Sequence, residues 1–387
     1  LFLDMFLLLF RFLHFFFVTQ IAPITVVYFT RNDDTLYYST ICMAFLVCEI
    51  LVRRLSERTF RMPQIENGKF AKYFVGIFAF LVIGFLIQTY RNNGLPTLIA
   101  VNIYKVYELR GSDIYQLGKY GGYLQEIIMK IIIPILLVIC MKSKKYIWLI
   151  TVYGIEILIY LYVGEKSYLF TGILVLCVYW WMSNERLADK FWYCFYGGMA
   201  FLCFFARSGL IESIFLLFVR RCFFVSAINK FYYYDFFLTH PKEGLAGIFP
   251  RWLVPIASNY GSGAESYARQ IGKIYWDAPN MNANTGFIAE GYLRFGLIGI
   301  FAEFMLFALL LKVIDDFQNK TGYAFAIGAS VLVIFQLRDG HLIGALLCGY
   351  LTVWFIFLFI FKDKQGREGV NCKKRWKIKT RKLRLKV

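Results

Sequence analysis

The chain has 387 residues, 59% of them hydrophobic and 20% aromatic, with a mean hydropathy of +0.56. That is more apolar surface than a soluble globular domain buries. The apolar runs are continuous and do not alternate as the strands of a barrel do, so a helical membrane protein is indicated. The net charge of +18 is concentrated at one end. From Lys362 onward twelve Lys/Arg stand against two acids, directly after a hydrophobic segment. This is the pattern of an anchor on an anionic inner leaflet, and it argues against a nucleic-acid surface.

A hydrocarbon core of about 30 Å needs roughly 20 apolar residues per helix. The N-terminal stretch LFLDMFLLLFRFLHFFF lacks a small-residue cleavage site and reads as a retained first helix. Spans are predicted at about 5–29 and 36–52, joined by RNDD at 31–34. A Lys/Arg-rich stretch follows and marks the cytoplasmic side. The third span, about 73–90, leads outward to a long polar loop at 91–122. The fourth and fifth, about 123–141 and 146–163, are joined by KSKK on the inside, and GEKS at 164–167 is a short outer turn. The sixth ends near 182 and the seventh covers about 191–206.

The largest segment outside the spans is 207–285. Its first part, GLIESIFLLFVRRCFFVSAINKF, is apolar with embedded charge and suits an interfacial helix. The rest, with several Pro and Gly, reads as a folded outer loop. The eighth span is about 286–311, with KVIDDFQNK inside. The ninth, about 322–337, meets the RDGH turn, and the tenth, about 342–361, returns to the basic tail. The expected fold is therefore all-α and polytopic, with about ten transmembrane helices, a large periplasmic loop and both termini cytoplasmic. Its parts are an N-terminal bundle (1–206), the loop (207–285), three C-terminal spans (286–361) and the tail (362–387).

The 9 Cys are scattered, with no C-x-x-C, and only 3 His are present, so structural zinc and a disulfide framework are not expected. There is no Walker A, no G-x-G-x-x-G and no D-x-D pair in a loop. An ATPase and a metal-dependent nucleotide-sugar transferase both lose support, and no metal or cofactor is expected.

In this topology unusual cations gather on the outer side: Lys166 in GEKS, Arg207 at a span end, Arg220 and Arg221 in LLFVRRCFFV, Arg251 in FPRWLVP and Arg338 in RDGH. Arginine matches phosphate oxygens in a planar fork, so several together would hold a diphosphate. Each cation also has a plain alternative, snorkelling to headgroups. Arg220 and Arg221 are adjacent and point about 100° apart on a helix. The stretch NMNANTGFIAEGYLRFGLIGIF adds Asn282 and Asn284 before a helix start, where amides and free N–H groups bind sugar hydroxyls or phosphate. Glu290, Tyr292 and Arg294 follow in its first turns. Glu290 either pairs with Arg294 at i,i+4 or serves as a sugar ligand or general base. His240 is the loop's imidazole and a second candidate base, with Asp235 and Glu243 weaker ones.

The layout resembles Wzy-type O-antigen polymerases. The resemblance rests on the helix number, a late outer loop with arginines, and N-x-N-T-G-F-x-x-E-G-Y-x-x-F-G-x-x-G over Asn282–Gly299. It implies a membrane-embedded glycosyltransferase of the GT-C type, akin in architecture to O-antigen ligases. Such an enzyme moves a growing glycan from undecaprenyl diphosphate onto the next lipid-linked unit at the outer face of the bacterial inner membrane, without nucleotide or metal. It implies Arg221 and Arg251 at the leaving diphosphate, His240 or Glu290 as base, and a chain-length regulator and a flippase as partners. The rival expectations are a flippase or exporter for the same lipid-linked unit, and a membrane acyltransferase modifying surface glycan.

Overall fold

The computed structural model describes residues 12–31, 34–56, 68–96, 121–183, 215–244, 267–278, 281–321, 323–337 and 350–360. It also describes scattered positions between 190 and 212 and between 340 and 346. Among them every regular element is helical. In chain order they are α1 (Phe12–Arg31), α2 (Thr35–Ser56), α3 (Gly68–Asn93), α4 (Gly121–Lys142), α5 (Tyr146–Val163) and α6 (Lys166–Ser183). Then come α7 (Ser226–Thr239), continuing a π-helical stretch at Phe215–Val225, α8 (Tyr267–Trp276), α9 (Phe287–Phe295), α10 (Leu297–Thr321), α11 (Tyr323–Leu337) and α12 (Tyr350–Ile360).

Six of these are long and apolar enough to cross a membrane: α1, α2, Val75–Asn93 of α3, α4, α5 and Leu297–Phe317 of α10. Shorter apolar helices, Phe170–Ser183 and Ala324–Leu337, stand at the expected sixth and ninth spans. The protein is thus an all-α, membrane-embedded chain. Its outward faces are apolar: Ile77, Phe80, Ile83 and Ile87 of α3, Ile147 and Ile150 of α5, and Ile298 of α10 are exposed. A hydrocarbon solvent accommodates such a surface and water does not.

Local chemistry explains several boundaries. Asp34 Oδ1 accepts the backbone N–H of Leu36 at 2.7 Å and of Tyr37 at 3.2 Å, and so caps α2. Gly164 ends α5 in a left-handed conformation (φ 67°), its N–H bonded to the Tyr160 carbonyl at 2.7 Å. Two helices widen into π turns, α1 at Phe17–Ile21 and α4 at Ile128–Ile132. In each the turn lies just before a proline, Pro23 or Pro134, which offers no N–H to the carbonyl four residues back. The third π-helical stretch, Phe215–Val225, contains no proline.

The buried centre is aromatic. Phe16 of α1 lies 4.9 Å from Phe307 and 5.4 Å from Phe287 (ring centroids), and Phe45 of α2 lies 6.2 Å from Phe304. Tyr37, two residues into α2, meets Tyr292 near the start of this region, while Phe45 meets Phe304 further on, so α2 and α10 run parallel. A second group packs α4, α5, α6 and α11 together. There Glu156 of α5, fully buried, accepts the Gly172 N–H of α6 at 2.8 Å, and any side chain at residue 172 would strike it.

The structure differs from the sequence expectation at the eighth span. The stretch expected as one helix over 286–311 is two. Gly296 adopts φ 64°, which ends α9, and α10 starts in a new direction. The KVIDDFQNK segment, expected as a polar connection, is the last part of α10. Its Lys312 pairs with Asp315 (3.4 Å) and Asp316 (2.6 Å) on the same helix, so the charges enter the bundle partnered. Of the stretch expected to lie at the interface, 209–231, the continuous described run from 215 onward is helical, extends on to Thr239 and packs along α1.

Candidate functional site

The break at Gly296 makes α9 a half-helix that doubles back on α10. The backbones of Gly291 and Gly299 touch, and a Cβ at Gly291 would fall 2.6 Å from the Gly299 carbonyl oxygen. At the other end of α9, the Phe287 ring rests against Phe304 and Phe307, at 5.4 and 5.1 Å. Those two lie on the second and third turns of α10, so α9 starts about 10–15 Å below the bend. The free N–H groups of an uncapped helix start favour anions.

The bend is held by charge. Arg294 Nη2 is 3.3 Å from Glu290 Oε2 and its Nη1 is 3.1 Å from Glu303 Oε1, all three side chains at most 5% exposed. The i,i+4 pairing expected of Glu290 and Arg294 is present. Both are occupied with the bend, and Glu303 joins them from α10.

The approach to α9 is polar. Gly286 has φ 78°, and no side chain caps the helix. Thr285 Oγ1 is buried, with no hydrogen-bond partner among the described residues. Asn282 and Asn284 are exposed. The Asn284 carbonyl accepts Asn229 Nδ2 at 2.9 Å, and Asn229 Oδ1 accepts the Trp276 indole N–H at 2.8 Å. Asn229 thereby ties α7, α8 and the asparagine segment together.

Above this lies a tyrosine nest. Tyr37 is fully buried, stacked on Tyr234 at 4.4 Å and edge-on to Tyr292 at 5.4 Å. Its hydroxyl has no hydrogen-bond partner among the described residues. Tyr234 donates to Asp34 Oδ2 at 2.8 Å, and Lys242 Nζ sits 5.1 Å over the Tyr292 ring. Burial alone would raise the Asp34 pKa. The hydrogen bonds from Tyr234 and from the Tyr37 and Leu36 N–H groups outweigh it and hold the carboxyl below its ordinary value. Burial and the bond to Asp34 together push the Tyr234 hydroxyl up.

His240 follows α7. Its ring stacks on Phe236 at 3.8 Å, and its Nδ1 lies 2.8 Å from the Phe236 carbonyl oxygen and 3.0 Å from Thr239 Oγ1. A carbonyl only accepts, so Nδ1 carries the proton. The neutral ring then keeps a lone pair on Nε2, which is exposed and meets no partner among the described residues.

Of the other candidates, Lys166 opens α6, and Arg220 and Arg221 are exposed on the π-helical stretch that leads into α7. Arg207, Arg251 and Arg338 lie outside the described residues. Asn282, Asn284, Tyr292 and His240 are assembled around α7 and α9. Asp34, Tyr37, Tyr234, Asn229, Trp276 and Thr285 belong to the same region and were not anticipated. NKFYYYDFF, with three successive tyrosines before an acid, is a local signal by which Tyr234 could have been found. No protein-family model, curated protein or solved structure matches the chain.

Proposed function

We propose that the protein joins lipid-diphosphate-linked oligosaccharide units by glycosyl transfer, as a polymerase of the Wzy type at the outer face of a bacterial inner membrane. The observation that carries this reading is α9. It is a half-helix beginning inside the bundle, uncapped, with exposed amides of Asn282 and Asn284 beside it. A diphosphate suits that helix start by its charge and by the free N–H groups. Arg220 and Arg221, on the helix that approaches it, neutralise charge on the departing diphosphate. The tyrosine nest offers hydroxyls and ring faces to sugar.

In this reaction the acceptor hydroxyl loses its proton to His240 Nε2 while its oxygen attacks the anomeric carbon of the donor glycan. The bond from that carbon to the diphosphate oxygen breaks, and polyprenyl diphosphate leaves with the bonding electrons. His240 is suited to the role by its fixed tautomer and open Nε2.

A second reading has one observation in its favour. Half-helices that start at membrane depth also hold substrates in carriers, so a flippase for the same lipid-linked unit uses the same feature. Deletion in a glycan-producing cell separates them. Loss of a polymerase leaves a single repeat unit on the surface lipid, loss of a flippase leaves none, and loss of an acyltransferase leaves long chains without acyl groups. Arg221→Ala or Arg251→Ala is expected to give the single-unit pattern at normal membrane abundance. Long chains in both variants would remove these arginines from the reaction.

A further inference from the structure

Beside the tyrosine nest, on another side of α7, stands a column of planar groups. The Arg31 guanidinium lies 4.6 Å over the Tyr232 ring, and the Tyr275 ring stacks on Tyr232 at 4.5 Å and 21°. Tyr232 is therefore in contact with both the guanidinium and the Tyr275 ring. Trp276 meets Tyr232 edge-on at 5.7 Å and is itself fixed through its N–H to Asn229. The Tyr275 hydroxyl donates to Asp235 Oδ2 at 2.5 Å. Tyr275 is therefore buttressed on one face and pinned at its tip. Among the described residues no ring or cation covers its other face, and the residue is half-buried. Asp235 is exposed, and its Oδ1 has no described partner.

Such a column has little reason to be rigid for packing alone, because its last ring is open. A fixed aromatic face with a carboxylate oxygen at its edge is the chemistry that receives a sugar. The C–H face of a pyranose stacks on the ring, and a hydroxyl donates to the carboxylate. Rigidity matters because ordering a mobile side chain on binding costs free energy that this arrangement has already expended.

We propose that Tyr275 and Asp235, held by Tyr232 and Arg31, form a saccharide-binding platform. A pyranose ring lies on the open face of Tyr275 with one hydroxyl on Asp235 Oδ1. The assignment of that sugar to the acceptor glycan rests on the glycosyl-transfer reading, whereas the platform does not.

The full chain in lipid nanodiscs tests this by saturation-transfer NMR and calorimetry. The probes are a panel of bacterial surface oligosaccharides that includes the free repeat unit of the cells carrying this gene. Wild type is expected to bind at least one of them. Tyr275→Ala should weaken binding about tenfold, the upper range of an aromatic contact, and Asp235→Asn by a few fold. Ile274→Ala, at an exposed neighbour on α8, should leave it unchanged. Should Tyr275→Ala fail to fold, Tyr275→Phe, which keeps the ring and frees its tip, and Asp235→Asn carry the comparison, both being expected to bind more weakly.

No saccharide binding by wild type, or wild-type affinity in folded Tyr275→Ala or in Asp235→Asn, overturns the platform. Glycan binding by a protein whose deletion leaves polymer length unchanged keeps the platform and discards polymerisation. Single-unit glycan in the deletion strain, with no saccharide binding in nanodiscs, does the reverse.

Discussion

Gly291 and Gly299 lie backbone to backbone, so close that a methyl group on either would overlap the other's carbonyl oxygen. The contact is what lets α9 fold back on α10, because two helices can meet at this distance only where both lack a side chain. Gly291→Ala must push the two helices apart or open the bend. A cost of about 1–3 kcal/mol is expected, as for other insertions into packed interiors. A lower thermal unfolding midpoint in detergent for Gly291→Ala, with no change for Gly154→Ala, where the added carbon meets open space, checks it.

Arg294 is held between Glu290 and Glu303, all three buried. Arg294→Ala leaves two carboxylates facing each other away from water, at a cost of about 3–5 kcal/mol. The variant should be scarce in the membrane. Converting both acids to glutamine in the same chain should restore much of the loss, since the repulsion goes with them. Glu290→Gln alone separates a fastening role from a chemical one. Polymer that declines only in proportion to protein level is the expected result. Full-length protein with no polymer would return Glu290 to the reaction.

Much of the framework was legible because local chemistry fixes it. The limits of α5 follow from Lys145 and Gly164, which bracket an unbroken apolar run, and the Glu290–Arg294 pair follows from helical spacing. The break at Gly296 was not legible. GYLRFGLIGIF is apolar apart from Arg294, and a glycine that packs helices is indistinguishable in sequence from one that turns left-handed. The pairing of Asp34 with Tyr234 was hidden for another reason. The two are 200 residues apart, and only the packing of α7 against α1 and α2 brings them together. Asp34 was visible as a turn residue, but its second oxygen has work that no local pattern announces.

Asp34 makes a prediction with a definite sign. Its folded pKa is below the ordinary 3.8, so the folded state binds this proton less readily than the unfolded chain. Its stabilisation is complete above the unfolded value and is lost as pH falls through the folded one. Asp34→Asn keeps the shape and removes the charge. At pH 7 it should lower stability by less than about 1 kcal/mol, because the residue is largely exposed and solvent screens it. Unfolding midpoints of the two proteins should converge as pH drops well below 3.8. A gap that persists there would assign the effect to hydrogen-bond geometry instead of charge.

His240 gives the sharpest chemical test. Its Nδ1–H is committed to the Phe236 carbonyl, and Nε2 is left as the acceptor. On the proposed glycosyl-transfer reading, His240→Ala should reduce the transfer rate by about 10²–10⁴-fold, the usual contribution of a positioned base, with the protein at normal abundance and surface lipid carrying one repeat unit. Thr239→Val removes a hydroxyl that neighbours Nδ1 and donates to the same Phe236 carbonyl, and should change the rate a few fold at most. His240→Asn places an amide nitrogen near Nδ1 and nothing at Nε2, so it should be as inactive as alanine. His240→Gln, whose longer amide reaches toward Nε2 but accepts protons poorly, should be inactive as well. Long polymer in the glutamine variant would mean that position 240 positions the acceptor through a hydrogen bond and takes no proton.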